Sequence, residues 1–291
     1  MGSGCYSSYS LILLILLLIS ACSTQPKNPG VTYNLRRQAE SQLSQGNKQA
    51  DRGELGQALS LLEDAMQLAV ASDDPGLRVR VGLSRGNVLF SLGRREEAAE
   101  AWNNALGEAE SIGDRELTAV SRIHIARGRL LSSGGESAAA ESVRDEVTRD
   151  MAQVRSDQLY TAFAWMVIGL AEKELGRYAQ AETALRRSLE IHEKDRNFEL
   201  AAYDWFMIAF FRSLAADYRG ARQALEMAID FDRRVENSWG LASDWRALGD
   251  VNRKAGDHDA AQTAYSRAAQ IFRAMGNREA AEETLSRAEN R

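Results

Sequence analysis

The sequence predicts an all-α fold, a solenoid of about six helix-turn-helix repeats followed by a C-terminal capping helix. Tryptophan recurs at positions 165, 205 and 245, an interval of 40 residues. A fixed interval of this size is the signature of a repeat protein. The prolines are Pro26, Pro29 and Pro75, so no proline interrupts a helix in the long remainder of the chain.

Residues 1–21 are predicted to be a secretory signal peptide. The unbroken apolar run from Leu11 to Ile19 is too short for a bilayer core, which needs about 20 residues, but it suits the apolar region of a secretory signal. No Lys or Arg precedes this run, although such signals usually begin with basic residues. The alternative is a short buried helix, which the position beside a Ser-, Thr- and Pro-rich segment disfavours.

The end of the apolar run carries a modification motif. Ile19, Ser20, Ala21 and Cys22 resemble the lipobox of bacterial lipoproteins, with an aliphatic residue, two small residues and the cysteine. The resemblance implies transfer of a diacylglyceryl group to the Cys22 thiol, cleavage after Ala21 and acylation of the new N-terminus. Two or three acyl chains hold a protein firmly to a membrane, where one holds it only marginally.

Residues 22–34 are predicted to form a lipidated tether. The segment from Ser23 to Gly30 is rich in polar residues and proline, as in a spacer between an anchor and a folded domain. Ser23 follows the cysteine where Asp would be expected for retention at the inner membrane. The resemblance therefore implies a cell-envelope protein at the periplasmic face of the outer membrane.

Residues 35–291 are predicted to form the solenoid domain. In the fourth repeat, a helix begins near Trp165, Leu175 and Gly176 supply a turn, and a second helix follows. Glycine suits a turn at a helix end because it accepts the left-handed conformation at low cost. Three further sets of residues recur at the same 40-residue interval as the tryptophans, and we call each set a column: Gly176, Ala216 and Gly256; Tyr178, Tyr218 and His258; Ala181, Ala221 and Ala261.

These columns resemble the tetratricopeptide repeat, in which a large residue, Leu-Gly, a turn glycine and further small residues follow one another. The sixth copy carries the pattern at Trp245, Leu248, Gly249, Gly256, Ala261, Tyr265 and Ala268. The first small residue of each second helix lies at 58, 98, 140, 181, 221 and 261. This period exceeds the usual 34 residues and indicates longer helices. The resemblance implies a right-handed superhelix.

The final stretch, from Arg278, is predicted to be the capping helix. Ala281, Leu285 and Ala288 lie on one side of it and charged residues on the other. A solenoid needs such a polar-backed helix to cover its last apolar face.

Composition argues against several functions. The formal net charge of -5 disfavours nucleic acid as a partner. The cysteines, Cys5 and Cys22, both precede the predicted domain. The three histidines, His124, His192 and His258, are expected at surface or half-buried helix positions rather than in a metal site or as catalytic bases. No phosphate-binding, zinc-protease or nucleophile-elbow motif occurs in the sequence, so we expect no enzyme activity, metal or cofactor.

The resemblance implies that the first helix of each repeat lines a concave groove. Large apolar residues fill the groove positions of the fourth and fifth repeats: Phe163, Met166, Leu170, Tyr203, Phe206 and Phe210. Arginines flank them: Arg122, Arg129, Arg246 and Arg253. An exposed apolar patch of this kind marks an interaction site. The alternatives are packing of these residues in the core between repeats, or closure of the patch against a second copy of the chain.

The predicted function is a membrane-anchored scaffold or assembly factor of the bacterial cell envelope, which binds an envelope protein or a peptide segment. Two alternatives remain: an accessory subunit that docks on a transport substrate-binding protein, and an all-helical enzyme.

Overall fold

The computed structural model describes residues 31–155 and 157–289, which form thirteen helices. The signal peptide, Cys22 and most of the tether lie outside the described residues. The helices are α1 (Val31–Asp51), α2 (Leu55–Ala71), α3 (Pro75–Ser91), α4 (Arg95–Ser111), α5 (Arg115–Ser132), α6 (Ser137–Met151), α7 (Gln158–Glu174), α8 (Tyr178–Lys194), α9 (Phe198–Leu214), α10 (Tyr218–Arg234), α11 (Ser238–Lys254), α12 (His258–Ala274) and α13 (Arg278–Glu289).

Each helix packs against its predecessor and its successor, which makes six consecutive pairs followed by α13. The first helices of neighbouring pairs also touch, as α1 touches α3 and α9 touches α11. The predicted all-helical repeat solenoid is therefore confirmed, with six repeats and a final single helix. Helix α1 begins at Val31, ahead of the predicted domain boundary at residue 35.

Residues in the left-handed backbone conformation follow the C-terminal ends of many of the helices. Gly176 has φ 71° and Gly256 has φ 80°, as expected for the turn glycines of the repeat. Ala216 occupies the same turn of the fifth repeat with φ 60°, and Arg196 and Glu236 take this conformation between repeats, with φ 57° and 56°. In each case backbone bonds to the last helical turn stabilise the bend, as in the bond from the Asp217 N–H to the Arg212 carbonyl (2.9 Å).

Asp and Asn side chains cap the N-terminal ends of many of the helices. The Asp114 carboxylate accepts a hydrogen bond from the Leu117 N–H (3.0 Å), and the Asp257 carboxylate accepts one from the Ala260 N–H (3.1 Å). Asn277 caps α13 in the same way (3.0 Å). These bonds satisfy backbone donors that have no partner within the helix.

Trp102 joins three helices of the second and third repeats. Its ring is 3% exposed, and its indole N–H donates to the Leu83 carbonyl (3.3 Å). A Cβ at either Gly86 of α3 or Gly128 of α5 would overlap this ring. The two glycines therefore leave the space that Trp102 of α4 fills.

The first repeat also touches the fifth and sixth. Gly53, in the turn between α1 and α2, lies so close to the Trp239 ring of α11 that an added Cβ would stand 2.8 Å from it. Next to it, the Arg52 guanidinium lies 3.9 Å from the Glu199 carboxylate of α9. The solenoid thus curves until its beginning meets a later turn, and we call this contact the closure.

None of the described helices is long and apolar enough to cross a membrane.

Candidate functional site

The curved solenoid encloses a cavity of about 750 Å³ on its concave side. Its walls come from α1, α3, α5, α7, α9, α11 and α13, with contributions from α2 and α10. The first helices of all six repeats therefore reach it. A concavity of this size is the usual form of a ligand site, and its lining combines apolar and charged side chains. We call it the channel.

Helix α9 forms the apolar wall of the channel with Tyr203, Phe206 and Phe210. Tyr203 is 44% exposed and Phe210 is 41% exposed. Desolvation by the surrounding protein, with the charge of Asp204, raises the pKa of the Tyr203 hydroxyl. Lys173 of α7 lies 6.0 Å from the centre of the Phe210 ring, so the wall combines apolar surface with a cation at its rim.

Five of the ten predicted groove residues line the channel: Met166, Tyr203, Phe206, Phe210 and Arg246. Met166 and Leu170 are each 9% exposed and belong to the core; Met166 also reaches the channel, and Leu170 does not. Phe163 is half-buried and stacks on the His124 ring, with 4.2 Å between centres. Leu170 and Phe163 both lie on α7 and contact neighbouring helices instead of the channel.

The other three predicted arginines do not line the channel. Arg122 pairs with Glu110 of α4 (2.8 Å), and Arg129 pairs with Glu146 of α6 (2.5 Å). Both partners lie on the second helices of their repeats. Arg253 lies 3.7 Å from Asp250 on its own helix. These three arginines form ion pairs on the surface of the solenoid and do not themselves line the channel.

Arg127 of α5 lines the channel, although the sequence did not point to it. Its guanidinium carbon lies 6.0 Å from the centre of the Phe90 ring. Burial lowers the pKa of Arg127, and its Nε–H has no hydrogen-bond partner. The sequence feature that could have identified Arg127 as a channel residue is its position as a basic residue within an otherwise apolar helix face.

Four carboxyl groups line one end of the channel, which we call the acidic end: Asp51, Glu199, Asp232 and Asp244. They come from α1, α9, α10 and α11, so sequence spacing could not reveal them as a group. The Asp232 carboxylate accepts a hydrogen bond from the Asn237 amide (3.0 Å). Burial, together with the charge of Asp232, raises the pKa of Asp244 to about 9. Burial and the charge of Glu199 raise the pKa of Asp51 to about 7.

Two histidines are more buried than the sequence suggested. His124 and His192 are each 6% exposed. The Nδ1 of His124 lies 3.0 Å from the Asn87 amide oxygen, and burial lowers the pKa of this imidazole to about 3. His124 is therefore neutral. Within the described residues, no group of three or more His, Cys, Asp and Glu is arranged to hold a metal ion.

A serine, a histidine and an aspartate meet between α8 and α9, but not as a catalytic triad. The Ser188 hydroxyl donates to one Asp204 oxygen (3.1 Å), and the His192 Nδ1 lies 2.7 Å from the other. A nucleophilic serine would donate to the imidazole. All three side chains are buried away from the channel, so they stabilise the fourth-to-fifth repeat contact.

Comparisons with known proteins agree with this architecture. A family model described as tetratricopeptide repeat matches residues 164–195. No curated protein matches the chain. The crystal structure of Rap protein complexed with Competence and Sporulation Factor superposes with a TM-score of 0.59 at 15% identity, covering 87% of this chain and 74% of that chain.

Two other structures show the same likeness. BtubC from P. vanneervenii has a TM-score of 0.55 at 16% identity and covers 82% of this chain and 92% of its own. The TPR-like repeats described for a Podosopora anserina kinesin light chain give 0.53 at 15% identity, with 69% and 97% covered. At these identities the likeness concerns the fold. The chain therefore has the all-helical solenoid fold of tetratricopeptide-repeat proteins, and its fourth helix pair matches that repeat in sequence as well.

Proposed function

We propose that the chain is a lipid-anchored scaffold of the bacterial cell envelope that binds a segment of a partner protein in the channel. The observation that carries this proposal is the apolar wall of α9, where Tyr203 and Phe210 are each more than two-fifths exposed to a cavity of about 750 Å³. Large aromatic side chains at the centre of a concave surface are typical anchors of protein interfaces.

The dimensions of the channel suit a short extended segment. The wall from Glu199 to Phe210 covers eleven helical steps, or about 17 Å at 1.5 Å per residue. An extended chain rises about 3.3 Å per residue, so about five residues of a partner fit along the wall. The Rap structure, a complex with Competence and Sporulation Factor, supports a protein or peptide ligand for this fold. We propose no catalytic role.

The channel test replaces Tyr203 and Phe210 together by Ser. Because both side chains are exposed in the free protein, the melting temperature should stay within a few degrees of the wild-type value, while partner affinity falls by about 2 kcal/mol or more, roughly 30-fold. Envelope proteins retained from detergent extract by the wild-type domain would be identified by mass spectrometry, and affinity measured for the purified partner.

The matched control replaces Val70 and Met227 by Ser. These apolar side chains are also exposed, at 57% and 39%, but lie on second helices outside the channel. Equal loss of binding in both double variants would contradict the channel. A shift from dimer to monomer in sedimentation, caused only by the Tyr203 and Phe210 changes, would identify a second copy of this chain as the occupant.

The lipid anchor has its own test. Cys22 lies outside the described residues, and its assignment as the lipidation site depends on the lipobox resemblance. Cys22→Ser should remove the thiol that accepts the diacylglyceryl group, so the expressed protein should leave the detergent phase and remain unprocessed. Cys5→Ser is the control and should change neither property. Membrane-bound, cleaved Cys22→Ser protein would argue against lipidation at this residue.

A further inference from the structure

The acidic end brings together carboxylates from distant parts of the chain. Asp51 and Asp232 each lie close enough to Glu199 for its charge to raise their pKa values. The Asp232 and Asp244 carboxyls are hydrogen-bonded to each other. Trp239 and Gly240 border the same end of the channel. The four carboxyl groups therefore surround one region beside an aromatic ring.

Few positive charges balance this group. Among the described residues, Glu199 is the one member with an ion pair, and its partner Arg52 is 3.9 Å away. Two other cations that line the channel are engaged elsewhere: Arg246 lies 5.4 Å from the Phe272 ring centre, and Arg287 lies 3.1 Å from Asp250. Arg127 of α5 also lines the channel, 6.0 Å from the centre of the Phe90 ring, and it pairs with none of the four acids. Lys254 donates to the Ser213 hydroxyl at the far end of α9 (3.4 Å).

Helix position accounts for one of the four acids. Glu199 lies in the first turn of α9, where a negative charge is favourable. Asp51 and Asp232 lie in the last turns of α1 and α10, where a negative charge is unfavourable. Asp232 accepts a hydrogen bond from Asn237, whose amide oxygen caps α11.

Asp244 is the least explained member. It is 2% exposed and lines the channel, and its Oδ2 atom has no hydrogen-bond partner. A buried polar atom without a partner costs free energy, so this atom marks a position where a donor is missing.

We propose that the acidic end binds one basic side chain of the partner segment, the ammonium of a lysine or the guanidinium of an arginine. Either group supplies several N–H donors and a positive charge, which would satisfy the Asp244 oxygen and neutralise Glu199 and Asp51. The ring of Trp239 provides a surface on which such a cation is favourable. This proposal rests on the proposed function, because it assigns the chemistry of one residue in the segment that the channel holds.

The test selects ligands from a phage library of random hexapeptides on the immobilised full chain. We expect sequences with Lys or Arg at one fixed position and apolar residues beside it. Synthetic copies of the best sequence, with the basic residue or with norleucine in its place, would then be compared by fluorescence anisotropy. Loss of the charge should weaken binding tenfold or more, because charge-assisted hydrogen bonds are the strong ones.

Protein variants provide the second readout. Glu199→Gln, with its folding checked by circular dichroism, should reduce the preference for the lysine peptide over the norleucine peptide at least tenfold. Glu226→Gln, an exposed change of α10 outside the channel, should leave it unchanged. Selected peptides that lack a basic position, or a norleucine peptide that binds equally well, would overturn the basic-residue assignment while leaving the channel intact. Failure to select any peptide that competes with the partner would overturn both.

Discussion

Trp102→Ala is expected to lower the free energy of unfolding by about 3–5 kcal/mol, the usual range for removing a buried aromatic side chain. The ring is 3% exposed and lies 5.8 Å, centre to centre, from Phe90. Gly86 and Gly128 face it without a Cβ, so neither neighbour can fill the space that the ring leaves. Chemical denaturation monitored by circular dichroism measures the change.

Two glycine variants test the same packing by adding a Cβ instead of removing a side chain. Gly128→Ala should destabilise by about 1–3 kcal/mol, because its Cβ would overlap the Trp102 ring. Gly107→Ala is the control, since Gly107 lies on α4 with nothing within 4 Å of an added Cβ; there the better helix propensity should stabilise by about 0.5–1 kcal/mol. Shifts of the same sign in both variants would contradict the packing described for Trp102.

The stability of the free protein should fall as the pH rises from 7 to 9. Burial and the charge of Asp232 raise the pKa of Asp244 to about 9, above the unfolded value of about 3.9. Between these values the folded protein holds a proton that the unfolded chain has released, so each rise in pH favours unfolding until the folded pKa is passed. The loss is at most about 1.4 kcal/mol per pH unit.

Asp244→Asn should flatten this dependence, because the amide carries no titrating proton yet still donates a hydrogen bond to Asp232. The window above pH 7 is chosen because the pKa values of Asp232 and Asp51 are raised only to about 6 and about 7. His124, with its pKa lowered to about 3, acts in the opposite direction and only below its unfolded pKa. The same decline in Asp244→Asn as in wild type, measured by urea denaturation at pH 7, 8 and 9, would refute this assignment.

The repeat architecture was predictable because it depends on local pattern. The residues at Trp165, Gly176 and Ala181 recur at one interval, which indicates a repeat protein, and the helical spacing of small and apolar residues within each unit indicates paired helices. The turn at Ala216 shows why glycine alone is an incomplete guide, since neighbouring hydrogen bonds hold a non-glycine residue at φ 60°.

The channel was predictable only in part, because its lining depends on how each helix is rotated and on contacts between distant repeats. Tyr203, Phe206 and Phe210 were found because α9 is apolar on several faces. Leu170 could be assigned either to the groove or to the core, because periodicity does not distinguish a concave face from an inter-repeat face when both are apolar. Asp51 and Asp244 were missed because they meet only where the curved chain returns upon itself.

The closure gives the solenoid a property that open repeat arrays lack. In an open array each repeat interacts only with its neighbours, and local segments can unfold separately. Here Gly53 packs on Trp239 and Arg52 approaches Glu199. Detaching the first repeat therefore also exposes the N-terminal turns of α9 and α11. Unfolding of the first repeat is thereby energetically linked to the fifth and sixth. Because Ala50 and Asp51 of α1 line the channel, detachment of the first repeat would also open the channel.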